Sequence, residues 1–228
     1  LADASTLVAA GYDAVMVENF GDAPFFPGAV PAITVAAMTA CATAIATLDV
    51  PIGINVLRND VDAALAVAAV CGAELIRINV HMGARVTDQG VIAGAAHDTL
   101  RRRRALGLEH VRLLCDVAVK HSAPVAVRPI AHEASELAER GSADAVLVTG
   151  AGTGGAIDRA KLEEVLSAVD VPVYAASGVT PSSIEHVRGV YGVIVGSWLR
   201  ADGRAGGPVD AERAKVFAEA WRARSFTP

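Results

Sequence analysis

Seven short apolar runs occur along the chain, and each ends in glycine or polar residues before a stretch of helical character. They cover residues 14–19, 51–56, 74–80, 111–117, 144–150, 171–178 and 191–197. Strands that alternate with helices in this way are typical of an α/β fold with a parallel sheet built from βα units. In such folds ligands bind at the carboxyl ends of the strands, so functional residues are expected at the ends of these runs.

The number of strands indicates a barrel that begins before this chain does. A closed (β/α)8 barrel, the TIM barrel, has eight strands, and the sequence supplies seven. The chain starts at Leu1 rather than at Met, and residues 2–10 have the character of a helix. We predict one barrel domain over residues 1–228, N-terminally incomplete, whose first strand precedes Leu1. A doubly wound open sheet is disfavoured, because no Gly-x-Gly-x-x-Gly follows the first visible strand.

Composition and charge exclude several classes of protein. Apolar residues make up 53% of the chain, which suits strands that are buried on both faces. The sequence contains no apolar stretch long enough to span a bilayer and no secretory signal pattern. The net charge of −5 argues against nucleic-acid binding. Three widely spaced cysteines without a Cys-x-x-Cys pair predict reduced thiols and a cytoplasmic protein.

Polar side chains share one face of the first four strands. Side chains alternate along a strand, so Arg77 and Asn79 lie on the face opposite two isoleucines. The outer face of a barrel strand packs under helices, and the polar face therefore points inward. The same alternation points Glu18, Asn55 and Asp116 inward. We interpret these five residues as catalytic candidates around one cavity; the alternative is an internal polar layer that satisfies only itself.

The loops that follow these strands carry further polar residues. Lys120 and His121 join the catalytic candidates, since they can supply an acid, a base or a Schiff-base amine, although His121 can also be a solvated loop residue. Asp60 has the alternative role of a helix N-cap, and Asp22 that of a turn residue. The candidate substrate-binding residues are Asn19, Asp22, Arg58, Asn59, Asp60, Asp88 and Gln89. The last two lie in the longest loop, a candidate lid.

The carboxylates of this set raise the question of a metal. Glu18, Asp22, Asp88 and Asp116 are hard oxygen ligands of the kind that Mg²⁺ prefers. No spacing motif joins them into a site, so we predict no metal and no cofactor, and Mg²⁺ remains an unsupported alternative.

The later strands end in glycines and small hydroxyl residues instead. Such loops expose backbone N–H groups, and a helix is predicted after each one, for example a helix capped by Thr180; these are the requirements for holding a phosphate. In barrels the usual phosphate site is built by the loops after the last two strands. The candidate phosphate-binding residues are Ser177, Gly178, Gly196 and Ser197, extended by Thr149, Gly150, Thr153 and Gly154. The alternative is that these glycines only form tight turns.

Several of these segments resemble one protein family. The motifs ENFGDAPF (18–25) and NVLRND (55–60) are the most specific, and RINVHMG (77–83), TDQG (87–90), DVAVKH (116–121) and SGVT (177–180) follow in the same order. On these motifs the chain resembles the BtpA family. The resemblance implies a (β/α)8 barrel of the ribulose-phosphate-binding kind, and it implies that the polar residues named above form the family's polar set. Two features depart from the family: its opening strand is not in this chain, and the glycine-rich loop at 150–155 is looser.

Two functions follow from the residues and the resemblance. The first is an enzyme that acts on a phosphorylated sugar or nucleotide-like small molecule by isomerase, lyase or nucleosidase chemistry. The second, implied by the family alone, is a photosystem I biogenesis or assembly factor without catalysis. We expect a phosphorylated small molecule as the ligand, a homo-oligomer, and neither nucleic acid nor an integral membrane segment.

Overall fold

A seven-stranded parallel sheet organises the computed structural model, which describes residues 1–150, 152, 155–204 and 206–225. In order across the sheet, its strands are β1 (Val15–Glu18), β2 (Ile52–Asn55), β3 (Leu75–Ile78), β6 (Arg112–Asp116), β8 (Ala145–Val148), β9 (Val173–Ala176) and β10 (Gly192–Ile194). Every neighbouring pair is parallel. The seven apolar runs are therefore the seven strands, as predicted. An eighth strand that would close the barrel stays a prediction.

Helices connect most of the strands. The α-helices are α1 (Ala2–Ala10), α2 (Ala32–Ile45), α3 (Val61–Cys71), α4 (Ala96–Ala105), α5 (Ile130–Glu139), α6 (Arg159–Ala168) and α7 (Ala211–Arg222). Short 3₁₀ helices cover Phe20–Asp22, Ala46–Leu48, Pro181–Val187 and Ser197–Leu199. Within the described residues, no helix is both long enough and apolar enough to cross a membrane.

Two apolar layers lie on opposite faces of the sheet. Leu113 and Cys115 of β6 belong to the large core between the strands and the helices. Leu114, the residue between them, packs with Leu147 and Ala176 in a second cluster on the inner face. Strand alternation produces this division, as the sequence predicted. Asp116 is the next inward residue of β6, so a polar layer follows the inner apolar cluster toward the carboxyl ends of the strands.

A small antiparallel sheet takes two of its three strands from the segment that the sequence analysis treated as the longest loop and the third from the segment after β6. Its strands are β4 (Ala84–Thr87), β5 (Gly90–Ala93) and β7 (Ser122–Pro124), with β4 in the middle. Arg85 lies opposite Ile92 and Pro124, and this face is buried. The interpretation as a loop was wrong, because polar Thr, Asp and Gln residues hid a two-residue hairpin turn between alternating strands.

Candidate functional site

Arg77 lies at the centre of a buried hydrogen-bonded network at the carboxyl ends of β1, β2, β3 and β6. Its Nε and Nη2 donate to the two oxygens of Asp116 at 3.3 and 3.1 Å, and Nη1 donates to Glu18 Oε1 at 3.1 Å. Asn79 Nδ2 donates to Asp116 Oδ2 at 2.6 Å, and Asn55 Nδ2 donates to Asn79 Oδ1 at 3.2 Å. The structure thus brings the five inward residues together in one network.

Ion pairs with two carboxylate side chains surround the buried guanidinium of Arg77. The side chain of Arg77 is 5% exposed and that of Asp116 is 0% exposed, whereas Glu18 retains 23%. Burial works to lower the pKa of Arg77, but the charges and hydrogen bonds of Asp116 and Glu18 outweigh it and raise that pKa above its usual value. All three guanidinium nitrogens of Arg77 have a carboxylate partner, so Arg77 orders the network rather than offering a free anion site.

A cavity of about 190 Å³ opens beside the network. The described residues that line it are Glu18, Phe20, Ala23, Phe25, Asn55, Leu57, Arg58, Arg77, Asn79, Asp88, Lys120 and His121. Eight of these twelve are predicted catalytic or substrate-binding residues. Asp116 is not in this lining; it lines the second cavity described below. Sequence reasoning did not assign the apolar wall, although Phe20 and Phe25 belong to the most specific family motif.

Two cationic side chains, Lys120 and Arg58, flank the cavity, and neither forms an ion pair with a carboxylate of the described residues. The Lys120 ammonium lies 5.9 Å from the centroid of the Phe20 ring. Burial, followed by the positive charge of Arg77, lowers the pKa of Lys120. Arg58 is 3% exposed; its Nη2 donates to the backbone oxygen of Lys120 at 2.5 Å, and its buried Nε has no partner among the described residues. Burial also lowers the pKa of Arg58.

Asn19 and Asp22 fix the loop after β1 to the loop after β2. Asn19 Oδ1 accepts from Leu57 N at 2.7 Å, and Asn19 Nδ2 donates to Leu57 O at 3.3 Å. The same amide donates to Asp22 Oδ2 at 3.1 Å, and Thr34 Oγ1 donates to that oxygen at 3.2 Å. These contacts hold the apolar wall of the cavity, and neither residue is in its lining.

Asn59 and Asp60 make comparable framework contacts. Asn59 pairs with both backbone groups of Val80, at 2.8 and 2.9 Å. Asp60 caps α3 by accepting from Ala63 N at 2.9 Å, and its second oxygen accepts from Val30 N at 2.8 Å. The alternative role of Asp60 as an N-cap is therefore the one that the contacts display.

Asp88 reaches the cavity from the small antiparallel sheet, whose first two strands follow β3 in the chain. Asp88 and Gln89 form the turn between β4 and β5; Asp88 lines the cavity, and Gln89 Nε2 donates to it at 2.5 Å. Arg85, which the sequence analysis missed, anchors this hairpin. Its Nη2 donates to the backbone oxygen of Val117 at 2.7 Å and pairs with Glu133 of α5. Arginine within an alternating run was the signal that could have identified it.

A second cavity, also of about 190 Å³, lies between the small sheet and α5 and shares Asn79 with the first. Its cations are already paired, Arg85 with Glu133 and Arg128 with Glu136 at 2.8 Å. We therefore place the candidate site at the first cavity, where Lys120 and Arg58 lack carboxylate partners among the described residues.

The candidate phosphate residues follow β8, β9 and β10 and are absent from the described lining of the first cavity. Ser177 and Gly178 have positive φ angles of 134° and 70°. Gly196 has open space around the position of a Cβ atom, with no atom within 4 Å. Thr149 Oγ1 donates to Ala118 O at 3.0 Å. Gly150 is the second residue after β8, Ser197 begins the 3₁₀ helix Ser197–Leu199, and Thr153 and Gly154 lie outside the described residues.

Two of the three helices expected after these loops are α-helices, α6 after β8 and α7 after β10, and the third is a 3₁₀ helix. The segment after Thr180 is the 3₁₀ helix Pro181–Val187, where Thr180 N donates to Ser183 Oγ at 2.9 Å. The turn after Gly196 is the three-residue helix Ser197–Leu199. The α-helix α6 follows β8, but Asp158 already caps its first N–H groups. A helix therefore follows each of the last two loops, as predicted, but the first helical element after each loop is a 3₁₀ helix.

Metal ligation is not organised in the part of the chain that the structure describes. No group of three or more His, Cys, Asp or Glu side chains there is arranged to hold a metal ion. Glu18 and Asp116 pair with Arg77 instead, and Asp22 is engaged by Asn19.

Solved structures with the same fold are enzymes of phosphorylated compounds by name. Thiamine phosphate pyrophosphorylase from Pyrococcus furiosus has a TM-score of 0.64 at 14% identity, covering 96% of this chain and 88% of that one. N-(5′-phosphoribosyl)anthranilate isomerase from the same organism has a TM-score of 0.62 at 17% identity, covering 98% and 96%. At these identities the similarity assigns the fold alone. It is a TIM-barrel-like α/β fold, as predicted.

Sequence comparison assigns the family. A protein of Methanocaldococcus jannaschii is 42% identical over 217 residues, which cover 93% of this chain and 81% of the relative. Photosystem I biogenesis protein BtpA of Synechocystis is 40% identical over 221 residues, which cover 96% and 77%. The model of the BtpA family matches residues 1–223. The chain therefore belongs to the BtpA family.

Proposed function

We propose that this protein is an enzyme that acts on a phosphorylated sugar or nucleotide-like small molecule, by isomerase, lyase or nucleosidase chemistry. One observation carries the proposal: the cavity places a carboxylate, Glu18, and a partly desolvated amine, Lys120, beside a fixed ionic network. A purely structural polar layer has no need of an accessible acid and amine facing a cavity.

The roles divide according to access to the cavity. Glu18 keeps 23% of its side chain exposed, while Arg77 fixes one of its oxygens at 3.1 Å, so Glu18 is suited to accept a proton from a bound substrate. Lys120 is the matching acid or base. Asp116, Asn79 and Arg77 act as positioning residues, since hydrogen bonds among them occupy both oxygens of Asp116.

We assign the phosphate of the substrate to the loops after β9 and β10. Support comes from the positive φ of Ser177, since strained backbone of this kind clusters at functional sites, and from the open approach to the backbone at Gly196. The names of the two barrel enzymes above, which refer to a thiamine phosphate and a phosphoribosyl compound, support a phosphorylated ligand but do not locate its phosphate. Arg58, a buried cation at the cavity, is the candidate for a second anionic group of the substrate.

Ligand-induced stabilisation tests the proposal. D-ribose 5-phosphate or D-ribulose 5-phosphate is expected to raise the Tm of the protein, and unphosphorylated D-ribose to raise it less, because bound ligand stabilises the folded state. Gly196→Asp is expected to abolish the difference by placing a carboxylate at the phosphate position. Gly28→Asp is the matched control, since Gly28 also has no atom within 4 Å of a Cβ. The absence of a Tm shift with a panel of phosphorylated sugars and nucleotides would contradict the proposal.

The name of the Synechocystis relative supports a second candidate, a non-catalytic role in photosystem I biogenesis. Relatives from Methanocaldococcus jannaschii and Caenorhabditis elegans, organisms without photosystems, favour the enzyme instead. Retention of photosystem I subunits from detergent-solubilised cyanobacterial membranes on the immobilised protein, together with no response to phosphorylated ligands, would favour the second candidate.

A further inference from the structure

Lysine is rare in this chain, and one lysine occupies the candidate site. Only three of the twenty basic residues are lysines: Lys120, Lys161 and Lys215. Lys161 on α6 and Lys215 on α7 are exposed. The remaining one lines the cavity beside Glu18. Arginine would provide a permanent charge at this position, as it does elsewhere in the chain, so the choice of lysine suggests a need for an amine that can lose its proton.

The surroundings of Lys120 differ from those of a lysine that serves only as a charge. Among the described residues, no carboxylate lies within ion-pair distance of its Nζ, and no hydrogen-bond acceptor pairs with it. Its Nζ lies over the Phe20 ring, 5.9 Å from the ring centroid. Burial and the neighbouring positive charges of Arg77 and Arg58 lower its pKa, while Glu18 and Asp116 oppose that shift. These are the conditions that favour the neutral, nucleophilic amine.

We propose that Lys120 forms an imine with the carbonyl carbon of an open-chain phosphorylated aldose or ketose. The inference rests on the proposed function and narrows it, since it selects carbonyl chemistry among the reactions considered. Glu18 is the proton carrier of this step, because it lines the same cavity and is the more exposed carboxylate of the network.

The proposed step balances with the groups at hand. The Lys120 ammonium passes one proton to the Glu18 carboxylate by way of a water molecule in the cavity. The neutral amine then adds to the carbonyl carbon, which forms the C–N bond. A proton moves from nitrogen to the former carbonyl oxygen to give a carbinolamine. Glu18 returns its proton to that hydroxyl, and the C–O bond breaks. Water leaves, and the iminium ion remains attached to Lys120. No oxidant, reductant or metal takes part.

An iminium ion at this position determines which reactions follow. It withdraws electrons from the adjacent carbon, so a neighbouring C–H bond can lose its proton or a neighbouring C–C bond can break. Isomerase and lyase reactions of phosphorylated sugars use such steps. Cleavage of an N-glycosidic bond does not require an amine nucleophile, so the inference favours isomerase or lyase chemistry over nucleosidase chemistry.

Reductive trapping tests the imine directly. The protein is incubated with D-ribose 5-phosphate or D-ribulose 5-phosphate and sodium borohydride, and peptide mass mapping locates the reduced adduct. We expect one adduct per chain on Lys120, with Lys161 and Lys215 unlabelled. Lys120→Arg, which keeps the charge but cannot form an imine, should lose the adduct, and Lys161→Arg should retain it. Adducts spread evenly over the three lysines would overturn the inference.

Comparison of the Tm shift with adduct formation separates this inference from the proposed function. If the phosphorylated sugars raise the Tm but leave no adduct on Lys120, the imine is excluded while the binding proposal stands. If they do neither, both proposals fall.

Pyridoxal 5′-phosphate, a reactive aldehyde, supplies a probe that does not depend on the natural substrate. Lys120 should react with it at least tenfold faster than Lys161, and equal rates would overturn the inference.

Discussion

Arg77 and Asp116 face each other across β3 and β6 through two hydrogen bonds, Nε to Oδ1 at 3.3 Å and Nη2 to Oδ2 at 3.1 Å. The two strands are neighbours in the sheet although 39 residues separate the partners. Such a bidentate pair fixes both side chains in one plane. Because the remaining nitrogen of Arg77 holds Glu18, the pair also sets the position of the carboxylate that faces the cavity.

Asp116→Asn is expected to destabilise the fold by about 3 kcal/mol, because it leaves the buried Arg77 charge with Glu18 as its only carboxylate partner. The free energy of unfolding from urea denaturation measures this. Asp62→Asn is the matched control, since Asp62 makes the same two-bond contact with Arg102, at 3.2 and 3.1 Å, on the exposed surface. An exposed pair contributes at most about 1 kcal/mol. Equal losses in the two variants would contradict a special role for the buried network.

Strand alternation was enough to predict which residues meet in this network. Buried β-strands must hide one set of side chains under helices, so Arg77 and Asn79 had to point the other way. The prediction held for β1, β2, β3 and β6, whose inward residues bond to one another. Strand alternation does not predict how exposed each inward residue is, so the sequence could not distinguish Asp116 from Glu18. In the structure the side chain of Asp116 is buried and that of Glu18 is partly exposed.

The failures of sequence reasoning concern local geometry. The hairpin of β4 and β5 was missed because its turn residues are not the common Asn-Gly or Asp-Gly pair. The helix predicted after Thr180 is present as the 3₁₀ helix Pro181–Val187, and its type could not be predicted, since proline at the first position and a cap are signals common to both helix types. Arg85 was overlooked because its partners Val117 and Glu133 come from elements distant in sequence.

Glu18→Gln is expected to shift the pH dependence of Lys120 reactivity toward lower pH. The Glu18 carboxylate raises the pKa of Lys120 and opposes the effect of burial, so its removal lets that pKa fall further. The rate of Lys120 acetylation by acetic anhydride, followed by peptide mass mapping across a pH series, reports the change. Glu163→Gln, on the surface of α6, should leave the profile unchanged. A midpoint that stays fixed or rises in Glu18→Gln would contradict the electrostatic coupling.

His81 is expected to make the fold sensitive to acid. Its imidazole is 1% exposed, Nε2 donates to Gly141 O at 2.8 Å, and Nδ1 is buried without a partner among the described residues. Burial, reinforced by the charge of Arg103, lowers its pKa below 6.5. The unfolded chain therefore takes up a proton at higher pH than the folded one, and stability falls as the pH drops below about 6.5, by at most about 1.4 kcal/mol per pH unit.

Urea denaturation at several pH values checks the acid sensitivity. Wild type and His81→Gln should have parallel stability curves above neutral pH and diverge below it, with the wild type losing more. His97→Gln replaces an exposed histidine and should follow the wild type throughout. Curves for wild type and His81→Gln that stay parallel down to pH 5 would show that His81 does not titrate differently in the folded protein.

Arg85→Met is expected to loosen the small sheet without unfolding the barrel. Arg85 ties β4 to the backbone of Val117, directly after Asp116, and to Glu133 of α5, whereas the large core between the strands and the helices does not depend on it. Methionine keeps the apolar stem but leaves Val117 O and Glu133 without this partner. Amide hydrogen exchange in residues 84–93 should therefore rise by at least tenfold, while exchange in β8 stays unchanged.

Arg101→Met, at an exposed position of α4, is the control and should alter neither region. Because Asp88 at the hairpin turn lines the cavity, the loosened variant should also bind phosphorylated sugars more weakly than Arg101→Met does. Unchanged exchange in residues 84–93 would mean that backbone pairing with β7, rather than Arg85, holds the hairpin over the site.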